Sequence, residues 1–160
     1  MKQIIFEQLS AMGFEPTELG EIGYAFSYDD LNYLYMPQDG DEQFLRIAIP
    51  QMFEVTDENR IAVLEAMHDT SSILKYTKMC IMYETSAWAI YEHHLSVNEN
   101  LSDILEHIIR TLAATAYIFY QKMNGENVVE SLMESAESDE GADDDLEAQL
   151  KSLLEGVENE

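Results

Sequence analysis

The chain is poor in positive charge, has one cysteine and one tryptophan, and contains only three prolines. Eight Lys/Arg stand against 32 Asp/Glu, a formal net charge of −24. A field of that sign repels phosphate backbones and anionic membrane surfaces, which argues against nucleic acid and membrane as partners. It favours solubility and attracts basic partners. With Cys80 alone, no intrachain disulfide can form. Long apolar runs are missing too, and no stretch approaches the length of a membrane span. Residues 1–14 do not read as a secretion signal, because Glu7 and Gln8 interrupt the apolar run and no small-residue cleavage site follows. A cytoplasmic protein is expected.

Catalytic and ligand-binding signatures are equally scarce. The seven glycines are scattered and none precedes a Lys-Ser/Thr pair, which excludes a phosphate-cradling loop of that type. His93 and His94 are neighbours on an expected strand, so they point to opposite faces and cannot share a metal. His68 and His107 fall on separate expected helices. A composite site joining one of them to Glu92 or Glu106 is weaker than the plain reading of surface histidines. Cys80 alternates with Met79 and Ile81 and shows no base at a useful spacing, so it reads as a structural thiol. Asp143, Asp144 and Asp145 lack the spacing and distal Glu of a calcium loop. Asn100-Leu101-Ser102 matches the glycosylation pattern but has no secretion signal to give it meaning. The expectation is a non-enzymatic chain with no cofactor and no metal.

What the chain does contain is a normal apolar fraction, 46%, with nine Tyr and six Phe, enough to build a core. Ile5, Phe6, Leu9 and Met12 recur at helical spacing over residues 2–12, and Gly13 supplies a stop. Residues 15–20 read as a loop. Ile22, Tyr24, Phe26 and Tyr28 alternate with small or polar residues, the period of a strand. Asp29 and Asp30 turn the chain into a second strand, residues 31–36. Residues 37–41 turn it again into a third, residues 44–49. The short loops predict an antiparallel meander. Thr56 or Asp57 caps a helix whose apolar set is Ile61, Leu64 and Met67, with Val63 beside them, fading over residues 69–72. Strands follow at residues 75–83 and 87–95. The last helix is the longest. Asn100 caps it, Asp103 suits its dipole, and Leu101, Ile104, Leu105, Ile108, Leu112, Ala116 and Tyr120 form a broad stripe. The fold class is α+β: helix, three-strand antiparallel meander, helix, two strands, long C-terminal helix, then an acidic tail.

Composition shifts after Met123. Residues 1–123 carry 19 acidic and seven basic residues. Residues 124–160 carry 13 acidic residues and one Lys, so each part holds −12. Two units are expected, an α+β domain over 1–123 and an acidic extension over 124–160. Residues 135–145 are too charged and too poor in apolar residues to fold alone. Two apolar islands flank them. One is Val128, Val129, Leu132 and Met133. The other is Leu146, Leu150, Leu153, Leu154 and Val157, spaced as a short amphipathic helix over 146–157. That second island is either a nascent helix without consequence or a segment that docks on a groove.

The element order resembles the type III secretion chaperone-like fold, and within it the YbjN-like family of small bacterial proteins. The resemblance covers residues 1–122. It rests on the opening helix ending at Gly13-Phe14, the stretch from Phe44 through Met52-Phe53-Glu54-Val55, and the helix from Asn59 to Met67 running into Ser72-Ile73-Leu74-Lys75-Tyr76. The paired strands around Met79 and Trp88 and the long helix after Leu101 complete it. His68-Asp69-Thr70 departs from the Asn that such proteins often carry there. The resemblance implies a small, acidic, homodimeric protein that binds protein clients along apolar strips. By that analogy Leu64, Met67, Ile81 and Trp88 are interface candidates. Tyr33 and Tyr35, in the aromatic-rich strands, are candidates for an exposed binding face. Leu146, Leu150, Leu153 and Leu154 are candidates in the tail. Two functions follow: a chaperone-like protein-binding module, or a regulatory or scaffolding domain whose acidic tail is an autoinhibitory or partner-binding ligand.

Overall fold

The computed structural model describes residues 1–125. The acidic run over 135–145 and the expected helix over 146–157, with Leu146, Leu150, Leu153 and Leu154, lie outside the described residues.

Among the described residues nine elements follow one another: α1 (Lys2–Ala11), β1 (Thr17–Glu18), β2 (Tyr24–Tyr28), β3 (Leu31–Tyr35), β4 (Phe44–Glu54), α2 (Arg60–Ile73), β5 (Thr77–Met82), β6 (Ser86–His94) and α3 (Leu101–Met123). The six strands form one sheet in the order β1-β2-β3-β4-β6-β5, every neighbouring pair antiparallel. The class is α+β, with β2, β3 and β4 as the expected meander.

Asp29 and Asp30 adopt left-handed φ values of 50° and 59° between the paired Tyr28 and Leu31, a two-residue hairpin turn. Aspartate tolerates this region because its short side chain bonds locally. Gly23 makes β2 possible at its start. Its φ is 136°, and a Cβ there would stand 1.9 Å from the Tyr35 carbonyl oxygen. Thr56 and Asn59 exchange backbone-to-side-chain hydrogen bonds of 2.8 and 3.3 Å, the reciprocal arrangement of a capping box leading into α2. Asn100 caps α3 by accepting from the Ser102 N–H at 3.0 Å. Asp103 in its first turn and Lys122 in its last complement the dipole.

The core lies between one face of the sheet and the three helices. Tyr24 stacks on Tyr35 and Phe26 on Tyr33, the second pair with ring centres 5.2 Å apart. Ile5 and Leu9 of α1 close one side, while Leu105, Ile108, Leu112 and Phe119 of α3 fill the centre. Each such side chain contributes roughly 1.5–3 kcal/mol when fully buried.

Several boundaries move. Residues 15–20 are not all loop: Thr17 and Glu18 pair with Ala25 and Tyr24 as a two-residue edge strand. Ile22 stays outside β2, on the surface. β4 runs past Pro50 to Glu54 through a bulge, where Ile49 pairs with Ala89 and Phe53 with Ala87. Three residues of β4 therefore oppose Trp88 alone, and Gln51 takes up the irregularity with φ 51°. In α2 the buried set is Val63, Ala66, Met67 and Thr70, whereas Ile61 and Leu64 face outwards. The apolar stripe expected on Ile61, Leu64 and Met67 is thus rotated.

Candidate protein-binding surface

The rotation of α2 leaves two large apolar side chains, Ile61 and Leu64, on the surface. Arg60 donates to the Glu84 carbonyl oxygen at 2.9 Å, which fixes one flank of the helix beside the β5–β6 turn. Leu64 lies one turn beyond Arg60 on that flank. Asp69, which pairs with Lys122 of α3, marks the other. Leu64 is 47% exposed and Ile61, on the outward face, 72%. Beside them β5 is the last strand of the sheet, so one of its edges has no partner strand among the described residues. Lys78, exposed on this strand, is the kind of charge that blunts an open edge.

A tyrosine stands just outside each end of β5. Tyr76 has φ 70° and Tyr83 φ 53°, and they are 71% and 77% exposed. Bulky residues rarely hold left-handed backbone, which costs about 1–2 kcal/mol per residue. Partial ring contacts offset some of this. Tyr76 meets Tyr91 and His107, and Tyr83 meets Trp88 edge-on at 6.2 Å. Glycine or asparagine would serve the backbone better at both positions.

The candidates named from sequence scatter. Leu64 sits on the surface just described. Met67 lies beneath α2 in the core, and Ile81 is half-buried against the same core. Trp88 is 7% exposed, on the opposite face of the sheet, in a cluster with Leu34, Ala48 and Ile90. Tyr33 and Tyr35 are each 1% exposed, so they are core residues and not a binding face. Their strand turns them inwards to stack on Phe26 and Tyr24, and the Tyr33 hydroxyl donates to the Ile109 carbonyl. Ile61, Tyr76 and Tyr83 were missed. A large apolar residue just after a helix cap, and aromatic residues at turn positions where Gly or Asn would be usual, were the available signals.

Several charged groups pair with one another. Glu92 accepts from Arg46 at 2.8 Å and Lys78 at 2.7 Å. Burial alone would raise its pKa, but those two hydrogen bonds outweigh burial and hold it below the usual carboxylate value. Glu99 accepts from the Ser96 N–H and from His93 at 3.1 Å, which lowers its pKa as well. A cleft of about 310 Å³ between α1, Tyr28 and α3 contains Glu106 and Arg110, which bond to each other at 2.8 Å. Among the described residues, no helix is long and apolar enough to cross a membrane.

No protein-family model and no curated protein matches the sequence. Solved structures match the fold. An uncharacterized protein from Methanothermobacter thermautotrophicus superposes with a TM-score of 0.52 at 11% identity, covering 77% of this chain and 96% of its own. YbjN from E. coli, described as a putative transcription regulator, superposes with a TM-score of 0.57 at 6% identity, covering 73% of this chain and 87% of its own. The chain has a YbjN-like fold. At these identities the likeness is one of fold alone. The YbjN-like part accounts for about three-quarters of the chain.

Proposed function

We propose that this YbjN-like chain is a non-enzymatic, cytoplasmic protein-binding module of the chaperone-like kind, acting as a homodimer through α2 and β5. The observation that carries this is the open edge of β5 beside the exposed Ile61 and Leu64, with an exposed left-handed tyrosine at each end. Backbone groups on an unpaired strand offer hydrogen bonds to an added strand, and apolar flanks supply the burial. Strain held at surface tyrosines is consistent with side chains kept for contact. The chain's negative charge favours clients with basic segments and opposes nucleic acid. A regulatory role of the kind named for YbjN would, on this charge, run through protein contacts. No cofactor or metal enters this reading.

Light scattering across micromolar concentrations tests the dimer. The expected result is a dimer that Ile61→Asp with Leu64→Asp converts to a monomer of unchanged circular dichroism. A wild-type monomer at every concentration sinks the dimer. A client whose binding ignores both substitutions sinks the surface.

A further inference from the structure

Toward the opposite edge of the sheet from β5 lies a cleft of about 470 Å³, between the start of α1, the β1–β2 loop and the β3–β4 loop. The two loops approach closely. A Cβ on Gly23 would stand 1.9 Å from the Tyr35 carbonyl oxygen and 2.9 Å from the Pro37 Cδ, a contact that brings the loop holding Glu21 beside the one holding residues 38–42. Two turns, from the Asp41 N–H to the Gln38 carbonyl and from the Phe44 N–H to the Asp41 carbonyl, both 3.3 Å, fold Asp39, Asp41 and Glu42 into one short loop. Four carboxylates therefore share the wall with one cation, Lys2. Lys2 is already engaged, since its Nζ donates to Glu18 and to the Gly20 carbonyl at 2.9 Å each. No described residue forms a salt bridge or side-chain hydrogen bond with Glu21, Asp39, Asp41 or Glu42.

Acidity alone would make only a solvated rim. Tyr35 adds a second requirement. It lines the cleft and is 1% exposed, yet its hydroxyl has no hydrogen-bond partner among the described residues. Tyr33, two positions earlier on the same side of β3, spends its hydroxyl on the Ile109 carbonyl. A buried polar group left unpaired costs about 1–3 kcal/mol. Ionised carboxylates only accept hydrogen bonds and a phenol oxygen accepts as well, so the cleft calls for a ligand rich in donors.

We propose that the cleft binds an arginine side chain from a basic protein segment. The guanidinium donates to the Tyr35 hydroxyl oxygen and to the surrounding carboxylates. Its planar fork of five donors serves several acceptors at once, whereas a lysine ammonium is a compact, strongly hydrated point charge. A cleft of this size lies in the range of roughly 300–1,000 Å³ that ligand sites occupy.

The cleft is independent of the α2–β5 surface. The probe is a capped Ala-Ala-Arg-Ala-Ala peptide, which carries no apolar anchor for that surface. Titrated into the full chain and followed by amide chemical shifts, it should move the signals of Glu21, Tyr35 and residues 38–42. Asp39→Asn with Asp41→Asn and Glu42→Gln should weaken binding about tenfold or more. Asp57→Asn with Glu58→Gln and Glu65→Gln removes the same charge from exposed positions at α2 and should change affinity less than about twofold. Equal losses in the two triple variants reduce the effect to net charge and overturn the proposal. Tyr35→Phe should weaken binding about tenfold without lowering the urea midpoint, while Tyr33→Phe, which breaks a formed hydrogen bond, lowers it. Unchanged binding in Tyr35→Phe overturns the proposal, and so does a lowered midpoint, which would show the hydroxyl to be paired. The matching citrulline peptide, isosteric and uncharged, should not bind, and binding equal to that of arginine overturns the proposal. A lysine peptide or spermidine that binds more tightly than the arginine peptide overturns the assignment to a protein arginine. Leu64→Ser should leave peptide binding unchanged, and a loss there would move the site to α2–β5.

Discussion

Cys80 and Trp88, the only cysteine and the only tryptophan of the chain, are cross-strand partners of β5 and β6 on the side of the sheet away from the helices. Each side of the sheet therefore has its own chemistry. The helix side is sealed by aromatic stacks, and the other side carries a thiol and an indole within one pair of strands.

The thiol is expected to be sluggish. Burial raises the Cys80 pKa above the ordinary 9.0. Lys78 pulls it down and Glu92 pushes it up, with burial the largest cause. The thiolate attacks and the thiol does not. Alkylation at pH 7.5 should run about tenfold or more below the rate of a free cysteine, with a pH midpoint above 9. A midpoint at or below 9 contradicts the burial. Because the folded pKa is raised, the group's contribution to stability is present below the unfolded pKa and lost as pH rises through the folded one.

Glu92 governs behaviour in acid. Its folded pKa lies below the ordinary 4.5, so its contribution is present above that value and disappears as pH falls through the folded pKa. Glu92→Gln should cost about 1 kcal/mol at pH 7 in urea unfolding. The difference from wild type should shrink by pH 3. A gap that stays constant over that range would show that the Arg46 and Lys78 contacts are not the cause.

Gly23→Ala should be among the most damaging single substitutions in the body. The added methyl meets the Tyr35 carbonyl oxygen at 1.9 Å, and the backbone at φ 136° is one that L side chains rarely adopt. Relief requires β2 to part from β3, which the Tyr24–Tyr35 stack opposes. A loss of about 3 kcal/mol or more is expected in the urea midpoint. Less than 1 kcal/mol would mean that the start of β2 is held more loosely than the geometry states.

Period-two and helical patterns disclosed the meander and α3 well, because those elements are long and one side of each is strongly apolar. α2 was harder. Ile61, Leu64, Met67 and Val63, Ala66, Met67, Thr70 are both valid helical spacings that share Met67. Hydrophobicity favours the first and the fold uses the second. Thr70 can be buried because its hydroxyl donates to the Ala66 carbonyl at 2.7 Å, which removes the penalty that makes threonine look like surface. β1 was invisible because two residues carry no pattern, although its partners Tyr24 and Ala25 lie close by in the sequence. The candidate surface was the least legible part. Alternation shows that Tyr33 and Tyr35 share a side of β3, but not which side the helices will cover.

The aromatic stacks of β2 and β3 have a consequence for synthesis. Tyr24, Phe26, Tyr33 and Tyr35 emerge early from the ribosome, but the residues that seal them, from Leu105 to Phe119, come from α3. At about 5–20 residues per second the gap lasts roughly 5–15 seconds. During that interval the nascent chain displays an aromatic ribbon with no lid and is at its most vulnerable to aggregation. A translational pause before α3 would lengthen that exposure, and one after it would not.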